Sequence, residues 1–265
     1  MKKVTCWPVI LLAALVCTGC IQTNRIYGNA QVVTREVPIE DFNEISTALT
    51  GLVCHYEQRT DTAPYCVIST DSNLLDLLEI KTTDRKLRIE PKGKNTNLIP
   101  KYLTITLYSS GLNKIAQAGS GTFHIDSRFT SDALTVNQSG SGVICLNDSA
   151  VITKINCSLT GSCAFQALRL HCDEFKAKGA GSNKLVLGGE ARKASYSIAG
   201  SGRMQALDCT IDELSCKIAG TGNIEAHVTE SLHAKIAGNG KIRYKGNPTV
   251  TRDIAGNGNI SRIEE

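Results

Sequence analysis

Residue types that do acid–base, nucleophilic or metal chemistry are present in this chain, but their spacing serves none of those reactions. His55, His124, His171, His227 and His233 include no HxxxH or HExxH pair, the spacings that bring two imidazoles onto one zinc ion. Glu190, Asp208 and Glu225 are scattered, whereas glycan cleavage needs two facing carboxylates. Ser141 and Ser201 stand in Gly-Ser-Gly triplets and lack the GxSxG elbow of a hydrolase. Of the 11 cysteines, the eight left when Cys6, Cys17 and Cys20 are set aside include no CxxC pair, so neither a thioredoxin-like redox site nor a zinc ribbon is indicated. The spacing assigns no catalytic residue, no metal and no cofactor. What does recur is positive charge: Lys176, Lys178, Lys184, Arg203, Lys217, Lys235, Lys241 and Arg243. Within that stripe Lys178, Lys217 and Lys235 form the candidate ligand-binding surface, suited to an anionic glycan, a protein or a membrane surface.

A second group with chemistry lies near the start. Lys2 and Lys3 precede an apolar run, Val9–Val16, and then Cys17-Thr18-Gly19-Cys20. The run is far short of the roughly 20 residues that span a bilayer. The arrangement resembles a bacterial lipobox, with Cys17 where a branched aliphatic residue is usual. That resemblance implies a signal peptide over residues 1–19, cleavage before Cys20, and lipid attachment at Cys20, with the membrane as partner through that anchor. Ile21 in place of Asp favours the outer membrane, and the side faced stays open. Residues 20–34 read as a polar tether. Loss of the signal takes Lys2 and Lys3 from a formal charge of +4. A balance so near zero argues against nucleic acid as a partner. The single tryptophan, Trp7, lies in the signal, so the mature chain has none for stacking on sugars.

The elements that must position these residues are announced by a repeat. Gly119-Ser-Gly121, Gly140-Ser-Gly142, Gly161-Ser-Cys163, Gly181-Ser-Asn183, Gly200-Ser-Gly202, Gly220-Thr-Gly222, Gly238-Asn-Gly240 and Gly256-Asn-Gly258 follow one another at spacings of 21, 21, 20, 19, 20, 18 and 18 residues. Four residues before the first glycine stand Ile115, Val136, Cys157, Ala177, Tyr196, Cys216 and Ala234; four after it stand Phe123, Ile144, Phe165, Leu185, Met204, Ile224, Ile242 and Ile260. Polar residues alternate with these, the period-two mark of half-buried strands. Each unit reads as strand, glycine turn, strand, with a short third strand in the longer units. A propeller blade needs about 40 residues per repeat, and the leucine-rich pattern is absent. The fold expected is all-β: a right-handed single-stranded parallel β-helix of about eight coils of 18–21 residues over 109–265. Arg252 and Arg262 fall on inward columns of the last coil and make that end polar.

Residues 35–108 read as an N-terminal β-rich segment that caps the solenoid. Leu52–Tyr56 and Tyr65–Ile68 flank a polar turn as a hairpin would, which makes Cys54 and Cys66 the candidate disulfide. Asp71–Leu78 reads as a short helical turn capped by Asp71 or Ser72. Phe42-Asn-Glu-Ile45, Asp71-Ser-Asn73-Leu-Leu75 and the tandem Ala-Gly-Ser-Gly turns together resemble the head-GIN-domain proteins, described as auto-transporter adhesin heads. The resemblance covers roughly residues 35–260. It implies an exported bacterial β-solenoid, often with a lipobox, and carries over no catalytic residue. The reading is a non-enzymatic cell-envelope lipoprotein, an adhesin or glycan- or protein-binding solenoid. A polysaccharide-active β-helix enzyme and a laterally associating envelope scaffold are the alternatives.

Overall fold

The computed structural model describes residues 24–93 and 95–264; residues 1–19, read above as a signal peptide, and Cys20 lie outside them. The chain begins with β1 (Asn24–Tyr27), β2 (Val32–Pro38), β3 (Glu44–Thr47), β4 (Val53–Gln58) and β5 (Tyr65–Asp71). A single 3-10 turn at Leu75–Leu77 precedes β6 (Leu78–Thr83), β7 (Lys86–Pro91), β8 (Thr96–Ile99) and β9 (Leu103–Ser109). Next come β10 (Lys114–Gly119), β11 (Thr122–Ile125), β12 (Phe129–Gly140), β13 (Val143–Leu146) and β14 (Ala150–Gly161). Four long bent strands follow, β15 (Ala164–Gly181), β16 (Lys184–Gly200), β17 (Arg203–Gly220) and β18 (Asn223–Gly238), and then β19 (Lys241–Lys245), β20 (Thr249–Ala255) and β21 (Asn259–Arg262).

From β10 onward every strand pairs in parallel with its copy one repeat away, and the glycines stay in register: Gly119 faces Gly140, Gly140 faces Gly161, Gly161 faces Gly181. The result is the expected parallel β-solenoid, of about 7 turns. Why the corners are glycine is visible at Gly140. Its φ is +104°, and a Cβ there would lie 2.5 Å from Gly119 O. The same carbonyl accepts a hydrogen bond from Ser141 N at 3.0 Å. A side chain would therefore face both a strained backbone and the ladder that joins the coils.

The alternating apolar residues fill the interior. Ile115, Val136, Tyr196, Cys216 and Ala234 share one buried column, and Phe123, Ile144, Phe165, Leu185, Met204, Ile224 and Ile242 another. Each large side chain so buried contributes about 1.5–3 kcal/mol. At the last coil the packing stops. Arg252 faces Ala234 and Arg262 faces Tyr244, and both arginines are exposed with no strand beyond them among the described residues.

The N-terminal part departs from the sequence reading in four ways. First, β3 and β4 are not part of a separate cap. They pair in parallel with β10 and β11 and form a coil of their own, Ile45 facing Ile115 and Cys54 facing Phe123. On their other side lie β7 and β9, so chain order and stacking order differ. Second, β4 and β5 are not a hairpin, because β9 runs between them. Cys54 faces Ile105 and Cys66 faces Leu107 from opposite sides of β9, and both are free. Two strand spacings are about 9.6 Å, beyond the roughly 7 Å limit for a disulfide. Third, the stretch read as a tether carries β1, paired with β8, and the start of β2, paired antiparallel with β5. Main-chain pairing holds these strands, and their side chains, mostly exposed, show no alternation that could have marked them. Fourth, the 3-10 turn has no side-chain cap.

Asp71 has other work. Its buried carboxylate accepts the backbone N–H of Ala30 at 2.5 Å, of Lys101 at 2.8 Å and of Tyr102 at 3.2 Å. Burial opposes the charged form, but the three donors outweigh it and hold the carboxyl below the usual aspartate range. One side chain thus ties together three segments of the cap. Antiparallel β2, β5 and β6 finish this end of the solenoid.

Candidate ligand-binding faces

Four of the eight cationic residues, Lys176, Lys178, Lys217 and Lys235, fall on the outward side of the strands that precede the glycine corners, and the other four follow the corners. Successive partners are Ser158, Lys178, Ser197, Lys217, Lys235 and Asp253. Lys178, Lys217 and Lys235 therefore share one straight column. Lys217 and Lys235 occupy neighbouring rungs, and Ser197 separates Lys178 from Lys217 by about 9.6 Å. Lys235 Nζ is engaged by Asp253 Oδ2 at 2.6 Å. This pairing holds the Asp253 carboxyl below its ordinary range. Among the described residues Lys178 and Lys217 have no carboxylate partner. Around the glycine corner a second outward column reads Lys184, Arg203, Asn223, Lys241 and Asn259. Arg203, Lys241 and Arg243 line a shallow groove with Thr221, Asn223 and Asn239. Arg243 is paired with Glu225, whereas Lys184, Arg203 and Lys241 have no carboxylate partner among the described residues.

Another outward column of the same face shows the contrast. Lys154, Glu174, Lys193 and Glu213 alternate in sign along four rungs. Lys193 Nζ lies 2.8 Å from Glu213 Oε1, and Glu174 pairs with Lys176, whose hydrogen bond and charge draw the carboxyl down. That column neutralises itself. The Lys178–Lys217 column does not.

Two clusters went unseen in the sequence. On the second strand column His55 and His124 stack, rings 5.1 Å apart and 16° from parallel. His55 Nδ1 lies 2.5 Å from Asp126 Oδ2, and Asn147 Nδ2 lies 3.1 Å from His124 Nδ1 and donates to Asp126 Oδ1 at 2.6 Å. Half-buried Cys145 is the next rung after His124. Burial, helped by the Asp126 charge, pushes its thiol up, away from the thiolate a nucleophile needs. On the third face His171, Asp173, Glu190, Arg192 and Asp212 line another groove, where His171 Nδ1 is 3.5 Å from Glu190 Oε2. Both clusters join residues one repeat or more apart. They were legible only through the register, and the first also through the coil formed by β3 and β4.

All eight cysteines among the described residues are free. Burial pushes the thiols of Cys209 and Cys216 up to about 12 and those of Cys66 and Cys172 up to about 11. They behave as small apolar fillers. Cys163, at the corner after Gly161, is also buried, 1% exposed.

The family model described as "Putative auto-transporter adhesin, head GIN domain" matches residues 41–248. The chain belongs to the head GIN domain family. Solved structures share the family's fold with it. One described as a putative lipid binding protein, from Parabacteroides distasonis, is 33% identical at a TM-score of 0.86, over 91% of this chain and 100% of that one. Another described as a putative adhesin, from Parabacteroides merdae, is 28% identical at a TM-score of 0.85, with the same coverage. A second putative adhesin from Parabacteroides distasonis is 26% identical at 0.85, again over 91% and 100%. No curated protein matches the chain. No helix among the described residues is long and apolar enough to cross a membrane.

Proposed function

We propose that this head GIN domain chain is a non-enzymatic adhesin of the cell envelope, anchored to the outer membrane through lipid on Cys20, that binds an acidic glycan along its cationic column. The observation that carries the ligand is the pair Lys178 and Lys217, two exposed cations in one straight column without a carboxylate partner. The Lys154–Glu213 column on the same face alternates in sign and pairs Lys193 with Glu213, so sign alternation is available to this fold and is not used at Lys178 and Lys217. Their separation of about 9.6 Å suits charges repeating once per disaccharide along an extended polymer. The family and the adhesins it resembles support a binding role. The lipobox supports the anchor.

The test is titration of hyaluronate, which carries one carboxylate per disaccharide, against the wild type and a Lys178→Ala/Lys217→Ala/Lys235→Ala variant. The variant is expected to bind about tenfold more weakly, or about 1.4 kcal/mol, with binding by the wild type falling as salt rises. Thermal stability should be unchanged. Equal affinity of the two proteins would remove these residues from the site.

A further inference from the structure

Four of the eight large apolar side chains left exposed among the described residues meet at one corner of the cap: Tyr27, Val32, Val33 and Tyr102. The other four lie on the solenoid. The corner is assembled on one short segment, residues 70–73. Asn73 Nδ2 donates to Tyr27 O at 2.9 Å. Val32 and Val33 face Asp71 and Thr70 across the pairing of β2 with β5. Tyr102 N donates to Asp71 Oδ2, and Thr70 Oγ1 donates to Tyr102 O at 2.8 Å. Tyr27 and Tyr102 are 62% and 57% exposed, large fractions for aromatic rings held on paired backbone. Beside them Arg25 and Lys101 are exposed and have no carboxylate partner among the described residues. Residues 20–35 contain no acid at all.

The position of this corner along the chain says what covers it. Asn24 opens β1 only four residues after Cys20, and four residues reach about 14 Å at most. A lipid on Cys20 therefore brings the bilayer surface within about 14 Å of Asn24. Tyrosine favours the boundary between hydrocarbon and headgroups, where its ring is apolar and its hydroxyl is wet. Lysine and arginine favour the anionic headgroups just above.

We infer that the corner formed by Tyr27, Val32, Val33 and Tyr102 seats on the lipid surface that holds the Cys20 acyl chains, with Arg25 and Lys101 on anionic headgroups. This rests on the lipid-anchored reading of Cys20. The two tyrosines are the interfacial anchors, and the edge strand beside them carries Val32 and Val33 on its two opposite faces. Seating fixes the direction of the rod. The cap lies on the membrane, and β20 stands about 43 Å away, nine strand spacings from β7. The cationic column, carried on β15, β17 and β18, is held in the half remote from the bilayer.

The experiment uses the full chain, exported, acylated and reconstituted into vesicles of phosphatidylcholine and phosphatidylglycerol with bromine-labelled acyl chains. Trp7 leaves with the signal, so Tyr27→Trp, Tyr102→Trp and Ile254→Trp each place a single tryptophan in the mature protein. Intact mass reports the acyl chains on the same sample. The acyl mass should be present, the Tyr27→Trp and Tyr102→Trp proteins should lose most of their emission to bromine, and the Ile254→Trp protein should keep it. Acylated protein whose Tyr27→Trp and Tyr102→Trp emission is unaffected by bromine overturns the seating and leaves the anchor standing. Missing acyl mass overturns the anchor, and the seating with it.

Discussion

The two ends of the solenoid are finished in opposite ways. At the N-terminal end the parallel stack runs into antiparallel strands. β5 lies between β2 and β9, β6 covers β7, and the Asp71 carboxylate ties three segments together. At the C-terminal end the last coil, β20 and β21, is paired on one side only. Six of the seven residues of β20 are exposed, and Ile254 is 41% exposed at a position where earlier coils bury Ile198, Ile218 and Ile236. A repeat protein gains stability from each neighbour a coil touches. A coil with one neighbour holds about half the interface energy of a coil with two, and frays first.

That difference gives paired substitutions, with the largest effect first. Phe123→Ala removes a ring buried between two coils and should cost about 3–5 kcal/mol in chemical denaturation. Ile254→Ala, in the open coil, should cost less than about 1 kcal/mol. Equal costs would mean that the last coil is covered in solution. Gly140→Ala meets a φ of +104° and Gly119 O at 2.5 Å, and should cost about 2–4 kcal/mol. Gly256→Ala meets nearly the same geometry, a φ of +110° and Gly238 O at 2.7 Å, yet should cost under about 1 kcal/mol because its coil can open without unfolding the rest. This second pair isolates position in the stack from local strain.

Asp71→Asn leaves buried N–H donors without a full acceptor and should cost about 1–3 kcal/mol, read as a lower melting temperature. The same carboxylate gives the cap a pH dependence. Its folded-state pKa lies below the unfolded value, so its stabilisation is fully present above the unfolded aspartate range, about 3.9. It is lost as pH falls through the depressed native value. Acid melting curves of the wild type and Asp71→Asn should therefore converge at low pH. A constant gap would show that the carboxylate charge is not what matters.

The sequence was informative wherever the fold depends on a repeat. Gly119 to Gly258 mark corners because each needs a backbone or a close approach that side chains forbid, and the alternating columns follow from burial on one face. The family was legible for the same reason. The coil formed by β3 and β4 was hidden because its corner, Thr50-Gly51, lacks the triplet and because the chain inserts β5 to β9 before returning to β10. That one omission misplaced the cap boundary, turned β4 and β5 into a hairpin, and suggested a bond between Cys54 and Cys66. It also hid the stack of His55 on His124, residues 69 apart in sequence that meet only through this coil. The lysine column needed only the register, and Lys178, Lys217 and Lys235 align as expected. The partner of Lys235, Asp253, belongs to the irregular last coil.

Native-state hydrogen exchange followed by mass spectrometry reads the two ends in one experiment. The backbone of β5 is paired on both sides within the cap, and that of β20 on one side at the open end. Amides of residues 249–255 should exchange by local opening, much faster than those of residues 65–71, which should exchange only with global unfolding. Equal protection of the two segments would contradict a rod closed at one end and open at the other.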